Sequence, residues 1–406
     1  MIELQGKYNN AKVFTDNIED SAKEQIIQLL NQDFIKDCKV RIMPDCHSGS
    51  GCVIGFTANL GDKVIPNLIG VDIGCSMLTI ELGKLDINLE KLDEVIHQYI
   101  PSGFNIHEGR VVKFSKLQDL HCYRNLKDTK RIERSIGTLG GGNHFIEVNV
   151  NSNNNKYLVI HSGSRNLGHQ VAMFYQELAI DLCSGKESYY TERENIIKTY
   201  KEQGRKTEIQ QALSDLKNKY EDLQPNYPKE LCYLTGSFRD KYLYDMNICQ
   251  EYATLNRETM ANIILDKMFN KKLSEYNHFH TVHNYINFND NIIRKGSVSA
   301  KEGEKLLIPI NMRDGSIIAV GKGNFDWNCS APHGAGRLFS RTKAREILNL
   351  DEFKEEMNGI YSTSVSENTI DESPMAYKPM EEILENIKDT ADVLEIIKPI
   401  YNFKAH

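Results

Sequence analysis

Apolar residues recur at two different spacings along the chain, and these spacings predict where helices and strands lie. Helical spacing, with apolar residues three or four positions apart, occurs in four windows: 18–32, 88–100, 169–183 and 240–269. Short apolar runs that predict strands occupy 40–43 and 306–310. Because such runs alternate with helices and glycine-containing turns, the pattern predicts an α+β fold in which helices and strands are mixed.

The stretch 184–228 differs from the rest of the chain in composition. It is rich in Lys, Glu, Gln and Tyr and poor in apolar residues. Its apolar positions have the spacing of two amphipathic helices: Ile196, Ile197 and Tyr200, then Ile209, Leu213, Leu216 and Tyr220. We therefore expect one large domain over 1–406 that carries an inserted helical hairpin at 184–228. The hairpin is either a lid over the site or an insertion without a functional role, and the second is the simpler interpretation.

Composition favours a cytoplasmic enzyme. The 406 residues are 40% hydrophobic, enough for a substantial core. Nine scattered cysteines, an odd number, fit a reducing compartment better than a disulfide framework. The N-terminus lacks a signal-peptide pattern, and no apolar run is long enough to cross a bilayer.

A net charge of −7 argues against a uniformly basic protein that binds nucleic acid without specificity, although local basic grooves remain compatible with it. Two groups of basic residues are candidates for such a groove. The first group is Arg124, Lys127, Lys130, Arg131 and Arg134, and the second is Arg294, Lys295, Arg337, Arg341, Lys343 and Arg345. For either group alone, a solvated face is the simpler interpretation.

One histidine stands among small residues and just ahead of arginines. His333 precedes Gly334, Ala335 and Gly336, and Arg337 follows. Glycine permits close approach of a bulky anion, and arginine binds phosphate oxygens through two parallel N–H groups. The segment predicts a histidine nucleophile that attacks phosphorus. The alternative is a tight turn whose histidine satisfies backbone groups.

Metal-ligand residue types lie beside glycines in four further segments. These residues are Asp72, Cys75, His144, His161 and His283. A thiolate can bridge two metal ions, and imidazoles with a carboxylate can complete two adjacent open sites. Each residue has an ordinary alternative as a buried small side chain, a turn cap or a core histidine. Their repeated association with glycine and arginine favours a shared site.

Several motifs together resemble the RtcB family of RNA ligases. They occur in family order and cover nearly the whole chain: 43–49 (MPDCHSG), 70–75 (GVDIGC), 137–147 (GTLGGGNHFIE), 161–169 (HSGSRNLGH), 294–296 (RKG), 332–337 (PHGAGR) and 399–404 (PIYNFK). The resemblance implies a GTP- and manganese-dependent enzyme. Such an enzyme joins RNA 2′,3′-cyclic phosphate or 3′-phosphate ends to 5′-hydroxyl ends, in RNA repair or tRNA splicing.

The resemblance also assigns roles to individual residues. Cys75 would bridge two Mn²⁺ ions, one completed by Asp72 and His144 and the other by His161 and His283. His333 would attack the α-phosphorus of GTP to form a histidine-guanylate. Contacts to the nucleotide would come from Asn143, Glu147, Asn284, Ser316, Gly334, Ala335, Gly336, Arg337, Tyr377 and Lys404. Contacts to RNA or phosphate would come from Asp45, Arg165, Lys295 and Arg341.

Two positions depart from the family pattern. Ser76 follows Cys75 where the family usually has Gly, and 309–316 (PINMRDGS) replaces a Pro-Gly-Ser-Met-Gly segment that cradles the nucleotide. We expect a monomer that acts on RNA ends, and the sequence leaves open both the RNA substrate and the need for an activating protein. One alternative is a metal-dependent enzyme that caps or processes phosphorylated ends without joining them. Another is an RNA-binding component with reduced catalysis.

Overall fold

A computed structural model describes residues 1–220 and 223–405 and confirms the α+β class. The strands are β1 Ile2–Gln5, β2 Asn10–Val13, β3 Val40–His47, β4 Ile54–Ala58, β5 Ser76–Gly83, β6 Phe145–Val150, β7 Lys156–Ser162, β8 His278–Val282, β9 Asn284–Asn287, β10 Ile292–Lys295, β11 Ser297–Ser299, β12 Lys305–Asn311, β13 Gly315–Gly321, β14 Ser330–Pro332 and β15 Ala391–Lys404. The α-helices are α1 Asp20–Leu30, α2 Leu89–Tyr99, α3 Thr129–Arg134, α4 Arg165–Cys183, α5 Glu187–Glu202, α6 Ile209–Lys219, α7 Gly236–Phe269, α8 Arg341–Ile347, α9 Leu350–Glu356 and α10 Met380–Asn386.

A seven-stranded sheet in the order β12-β13-β15-β6-β7-β5-β8 forms the larger layer. Its strands pair antiparallel, and the 14-residue strand β15 joins the two halves by pairing with β13 and then with β6. Side chains of β5, β6 and β7 point alternately to the two faces of the sheet, and those on one face pack on α2 and α7. Burying one such Leu or Ile side chain contributes about 1.5–3 kcal/mol, so this layer holds the adjacent strand ends rigidly.

A six-stranded sheet, β1-β2-β3-β4-β10-β9, forms the second layer, and β11 pairs with β14 in a separate two-stranded sheet. Strands β2 and β3 pair in parallel, so the chain must cross over between them, and α1 makes this crossover. Ala22, Ile26, Leu29 and Leu30 of α1 are fully buried, as the helical spacing predicts.

The four helices predicted from apolar spacing are confirmed as α1, α2, α4 and the 34-residue α7. The predicted strands at 40–43 and 306–310 lie within β3 and β12. Among the described residues, no helix is both long enough and apolar enough to span a membrane.

The segment 184–228 contains α5 and α6, which contact each other. No side chain of α5 is buried, and Leu216 is the one buried side chain of α6. The ends of the segment approach each other where the Asn226 backbone N–H donates to the Cys183 carbonyl at 3.2 Å. That this segment is an insertion into the domain stays a prediction.

Candidate active site and metal centre

Four neighbouring strands of the larger sheet bring the predicted metal ligands to one end of that sheet. Cys75 immediately precedes β5, His144 precedes β6, His161 is the sixth residue of β7, and His283 follows β8. These strands are adjacent in the order β6-β7-β5-β8. The register places His161 opposite both Met77 and Phe145. Residues that are far apart in sequence therefore meet because the strand ends are aligned.

The five residues form two triads that share Cys75. The ligand atoms of Asp72, Cys75 and His144 lie within 4.8 Å of one another, and so do those of Cys75, His161 and His283. Cys75 Sγ lies 3.5 Å from His144 Nε2 and 3.2 Å from His161 Nε2. The two triads thus have the donor set that the sequence predicts for two metal sites bridged by one thiolate.

Backbone carbonyls fix which imidazole nitrogen faces the triads. His144 Nδ1 donates to the Leu139 carbonyl at 2.9 Å, and His161 Nδ1 donates to the Asn143 carbonyl at 3.1 Å. His161 Nε2 then presents its lone pair, which is the usual preparation of a metal-bound histidine, while His144 Nε2 lies 3.0 Å from Asp72 Oδ2. His161 Nε2 and His283 Nε2 face each other at 3.3 Å. His283 Nδ1 has no partner among the described residues, so no carbonyl sets its tautomer, and one ring donates to the other across this gap unless a cation lies between them.

Burial keeps His161 and His283 neutral, whereas neighbouring groups keep the Asp72 carboxylate charged. Desolvation lowers the pKa of His161 and of His283 well below the ordinary value. Burial opposes ionisation of Asp72, but a hydrogen bond from His144 and the charges of His144 and Arg165 lower its pKa to about 2. Burial raises the pKa of the Cys75 thiol, and a bound cation would deprotonate it. These residues therefore fit divalent metal ions.

A glycine makes room for the Asp72 carboxylate at the start of α4. The Ser164 backbone N–H donates to Asp72 Oδ1 at 3.0 Å. A Cβ atom at Gly163 would lie 2.2 Å from the same oxygen, so no larger residue fits. The partial positive charge at the N-terminus of α4 adds to the stabilisation of this carboxylate.

Helix α7 braces the glycine segments from behind. Asn256 accepts from the backbone N–H groups of Gly137 and Thr138 at 2.8 and 3.0 Å, and it donates to the Gly163 carbonyl at 3.2 Å. The neighbouring Arg257 is fully buried and donates to the carbonyls of Gly74 and Ser162. These two side chains tie together the loops that carry Asp72, His144 and His161.

His333 lies beside the metal triads and is oriented by Asp45. Its ring centroid is 5.0 Å from that of His283. His333 Nδ1 donates to Asp45 Oδ2 at 2.6 Å, and the same oxygen accepts the backbone N–H groups of His333 and Gly334. The fully buried Asp45 therefore leaves His333 Nε2 as the free nitrogen.

Close packing of the backbone at Gly336 against the backbone of Asp45 keeps Asp45 next to His333. Gly336 has φ +78°, a conformation that side-chain-bearing residues rarely adopt, and a Cβ there would lie 2.6 Å from the Asp45 carbonyl oxygen. The sequence pattern of small residues after His333 thus has a steric cause.

His333 opens into a cleft with about 850 Å³ of open space. Its walls include His161 and the atypical loop at Pro309, Ile310, Asn311, Met312 and Gly315. The far wall contains Arg337, Arg341, Glu372, Tyr377 and Lys404.

A buried carboxylate organises the cations of the far wall. Glu372 is 3% exposed, and it pairs with Lys404 Nζ and Arg341 Nη1, both at 2.5 Å. Burial opposes its ionisation, but the charges of Lys404 and Arg341 hold its pKa at about 2. Across the cluster four cations, Arg337, Arg341, Arg345 and Lys404, face the two carboxylates Asp371 and Glu372, which leaves a net charge of +2.

A second carboxylate in the cleft has the opposite electrostatic setting. Glu147 accepts from the side-chain amides of Asn149 at 2.8 Å and of Asn402 at 2.6 Å. Desolvation outweighs these hydrogen bonds and raises its pKa to about 7. Near neutral pH, Glu147 is therefore present both as a charged carboxylate, which accepts hydrogen bonds, and as a neutral carboxylic acid, which can donate one.

The structure brings most of the predicted residues to the cleft. Those that line it are Asn143, Glu147, His161, His333, Gly334, Ala335, Gly336, Arg337, Arg341, Tyr377 and Lys404. Others lie beside it: Arg165 is next to Asp72, and Asn284 donates to the Asp72 carbonyl at 3.2 Å and accepts from Gly296 N. Ser316 is fully buried on β13, and its hydroxyl has no partner among the described residues.

Two residues predicted to contact RNA or phosphate are placed elsewhere. Asp45 is a buried anion that holds His333, and its charge would repel a phosphate. Lys295 is 2% exposed, and its Nζ donates to the carbonyls of Ser50 and Cys52 instead of reaching the cleft. Burial lowers the pKa of this ammonium to about 8. The structure therefore gives Lys295 a role in holding the 50–52 loop.

Other residues of the site were not found from the sequence. Glu372, Asn402 and His47 line the cleft, while Asn256 and Arg257 brace it. Glu372 lies in a 3-10 helix, Glu367–Glu372, which has no apolar periodicity. Asn256 and Arg257 interrupt the apolar face of α7, and polar residues on a buried helical face are the signal that marks them.

Comparison with known proteins agrees with this geometry. The family model described as tRNA-splicing ligase RtcB matches residues 25–125 and 116–405. An RNA-splicing ligase RtcB1 from Escherichia coli is 28% identical over 422 residues, covering 94% of each chain. The RNA-splicing ligase RtcB of Escherichia coli K12 is also 28% identical, with 94% of each chain covered. The tRNA-splicing ligase RtcB of Nanoarchaeum equitans is 25% identical over 84% of this chain and 83% of its own.

Proposed function

The chain belongs to the RtcB family of RNA ligases, and on that basis we propose that it joins RNA ends through a guanylate carried on His333. The ends would be a 2′,3′-cyclic phosphate or 3′-phosphate and a 5′-hydroxyl. The observation that carries the proposal is the Asp45–His333 pair, which faces a cleft beside two metal triads.

The nucleophile is His333 Nε2. Because Asp45 accepts a hydrogen bond from Nδ1–H, Nε2 presents its lone pair to the α-phosphorus of GTP, and pyrophosphate leaves. The imidazole becomes positively charged on forming the N–P bond, and the Asp45 carboxylate stabilises that charge. The guanylate then passes to an oxygen of the RNA 3′-phosphate, which regenerates neutral His333. Attack by the 5′-hydroxyl oxygen on that 3′-phosphorus finally forms the phosphodiester and releases GMP.

The far wall of the cleft is suited to binding the nucleotide. Its net charge of +2 favours phosphates, and Arg337 lies over the Tyr377 ring at 5.1 Å. Guanine offers two adjacent N–H donors and a carbonyl acceptor. The carboxylate of Glu147 suits the donors, and the ammonium of Lys404 suits the carbonyl. GTP binding would have to separate Lys404 partly from Glu372, its partner at 2.5 Å.

Two divalent ions, Mn²⁺ in our proposal, would be held by the triads that share Cys75. Bound there, they would offset the charge on the reacting phosphate oxygens. The imidazoles of His144 and His161, oriented by the Leu139 and Asn143 carbonyls, keep their Nε2 atoms directed to these sites. The mixed donor set binds Zn²⁺ more tightly than Mn²⁺ in general, so purified protein is expected to carry zinc as well.

The first test is the mass of the protein after incubation with GTP and Mn²⁺. We expect one guanylate adduct on His333, stable in base and labile in acid as a phosphoramidate is, and no adduct in His333→Ala. An adduct that persists in His333→Ala or maps to a lysine contradicts the proposed nucleophile.

A second assay separates joining from capping. Wild-type protein is mixed with a 3′-phosphate RNA and a 5′-hydroxyl RNA, and the products are resolved by length. We expect the joined strand. Accumulation of guanylate-capped 3′ ends without joining would favour the alternative, an enzyme that modifies RNA ends only.

A further inference from the structure

A phenylalanine at the edge of the site is almost completely exposed. Phe104 is 94% exposed, more than any other large hydrophobic side chain among the described residues. Isolated exposed apolar side chains are common and by themselves indicate nothing. Phe104 differs because the backbone that carries it is fixed to the catalytic loops.

The loop at Phe104 is joined to the glycine segment that leads to His144. Gly103 N donates to the Gly140 carbonyl at 2.8 Å, next to a bridge between Ser102 and Gly140. Arg165 Nη2 donates to the Gly103 carbonyl at 3.3 Å, and the Arg131 guanidinium donates to the Phe104 carbonyl. The position of the Phe104 backbone relative to the metal triads is therefore set by backbone contacts and two guanidinium groups.

A groove adjoins this loop through Arg131. It lies between α3 and α4, and the apolar side chains of Met173 and Phe174 form part of its lining. Its donors include Asn125, Lys127, Arg131, Asn166, His169 and Gln170. Two carboxylates, Asp128 and Glu177, also line the groove, and Asp128 is already engaged as the cap of α3 through Arg131 N. Amide, imidazole and cationic donors along a groove suit the sugar-phosphate backbone of a single strand.

We infer that Phe104 is a stacking platform for one base of the RNA strand being joined, and that the groove beside Arg131 carries the backbone of that strand. The inference rests on the proposed function, since it assumes an RNA substrate. A planar ring standing alone among polar groups suits a base, which presents a π face of similar size. A protein partner would need a contiguous apolar patch, and the neighbours of Phe104 are Gly103 and Asn105.

The chain offers a matched control for this idea. Phe325 is 81% exposed, and its carbonyl also accepts from a basic side chain, Lys39. Phe325 lines neither the cleft nor the groove. A general effect of removing an exposed aromatic ring beside a cation should therefore appear equally in Phe104→Ala and Phe325→Ala.

The test is fluorescence anisotropy of a labelled single-stranded RNA with a 3′-phosphate, titrated with the full chain in the absence of GTP. We expect Phe104→Ala to weaken binding about tenfold, Phe104→Trp to restore it and Phe325→Ala to leave it unchanged. The dependence of log Kd on log salt should be the same in Phe104→Ala and wild type, because no charge is lost. For Lys127→Gln the salt slope should fall by about one.

Guanylylation is measured on the same variants without RNA. We expect it to be unchanged in Phe104→Ala, which separates this inference from the proposed function. Absence of the adduct in wild type would refute the guanylate mechanism while the binding data still decide the role of Phe104. Equal RNA affinity in Phe104→Ala and wild type, or full rescue by Phe104→Leu, would overturn base stacking.

Discussion

At the scale of single residues, the site depends on carboxylates whose surroundings set opposite charge states. Asp45 is buried but accepts three hydrogen bonds at one oxygen, and it holds His333 in one tautomer. Glu147 accepts two amide donors, and burial raises its pKa to about 7. A carboxyl group therefore orients a histidine in one place and titrates near neutral pH in another.

Replacing Asp45 by Asn should separate orientation from charge. The amide oxygen can keep the contacts to His333 and Gly334, but the negative charge that would stabilise the guanylylated imidazole of our proposal is lost. We expect the single-turnover rate of guanylylation to fall roughly 100-fold with the fold intact, as removal of a group stabilising charge in the transition state typically does. His333→Ala defines the zero rate. A rate for Asp45→Asn within threefold of wild type would show that orientation alone suffices.

Glu147→Gln should change how stability depends on pH. The folded-state pKa of Glu147 is raised from 4.5 to about 7. The contribution of protonated Glu147 to the free energy of unfolding is therefore fully present below pH 4.5 and is lost as pH rises through 7. Glutamine does not ionise, so the variant keeps its stability over this range. Relative to wild type, it should gain about 2–3 kcal/mol in free energy of unfolding between pH 5 and pH 8.

The amide neighbours allow this substitution. Asn149 Oδ1 and Asn402 Oδ1 have no partner among the described residues, so either amide can turn its oxygen toward the side-chain N–H groups that the substitution introduces. Urea unfolding at both pH values measures the difference between variant and wild type. A difference that does not vary with pH would mean that Glu147 is ionised throughout this range.

Residue types alone predicted part of the site. The five metal-ligand candidates meet in space, and small residues around them had a steric cause at Gly163 and Gly336. The sequence did not distinguish a charged side chain that faces the cleft from one that is buried in the protein. Lys295 stands in a basic tripeptide, yet its ammonium is bound by backbone carbonyls. Burial depends on the fold and cannot be read from one position.

At the scale of elements, α7 is more than a core helix. It packs through apolar residues such as Met260 and Ile264, as its spacing predicted, but Asn256 and Arg257 turn polar groups toward the site loops. Periodicity identified the helix, while the partners of these two side chains come from segments about 90 to 180 residues away. The 3-10 helix that carries Glu372 escaped prediction because it has no such period.

Asn256→Ala should loosen three site loops together. The substitution leaves the Gly137 and Thr138 N–H groups and the Gly163 carbonyl without a partner in a buried setting. Each unpaired buried group costs about 1–3 kcal/mol, and water entry recovers part of it, so we expect a loss of about 3 kcal/mol in stability and weaker metal binding.

Asn262→Ala on the same helix is the control, because Asn262 is exposed and its hydrogen bond, accepted from Leu273 N at 3.0 Å, does not involve the site loops. It should cost about 0.5–1.5 kcal/mol and leave metal binding unchanged. Denaturant unfolding and metal content after dialysis compare the two variants. Similar losses in both would mean that α7 is sensitive along its length and that Asn256 has no special role.

At the scale of the whole molecule, the site is assembled from three sheets. The predicted metal ligands lie at the end of the seven-stranded sheet, Asp45 lies in β3 of the six-stranded sheet, and His333 follows β14. The sequence predicted strands and their loops but not this convergence, because pairings such as β5 with β8 join residues about 200 positions apart. Family resemblance supplied the grouping that local patterns could not.

The segment that contains α5 and α6 contributes little to this assembly. Its one buried helical side chain is Leu216, and its two ends meet at Cys183 and Asn226. Replacing residues 186–225 by a short Gly-Ser linker should therefore keep the fold, since closing a short surface loop costs little. The main loss is at Tyr190, which donates to Asp181 at 2.8 Å and contacts the Phe238 ring.

We expect the shortened protein to unfold within a few degrees of wild type and to form the His333 guanylate at a rate within threefold. Tyr190→Phe in the full chain isolates the cost of the lost hydrogen bond, about 0.5–1.5 kcal/mol. Thermal unfolding and the guanylate adduct assay are run on all three proteins. Unchanged guanylylation with a large loss of RNA joining would mean that the segment covers the site as a lid. Loss of folding would mean that 184–228 belongs to the domain core and is not an insertion.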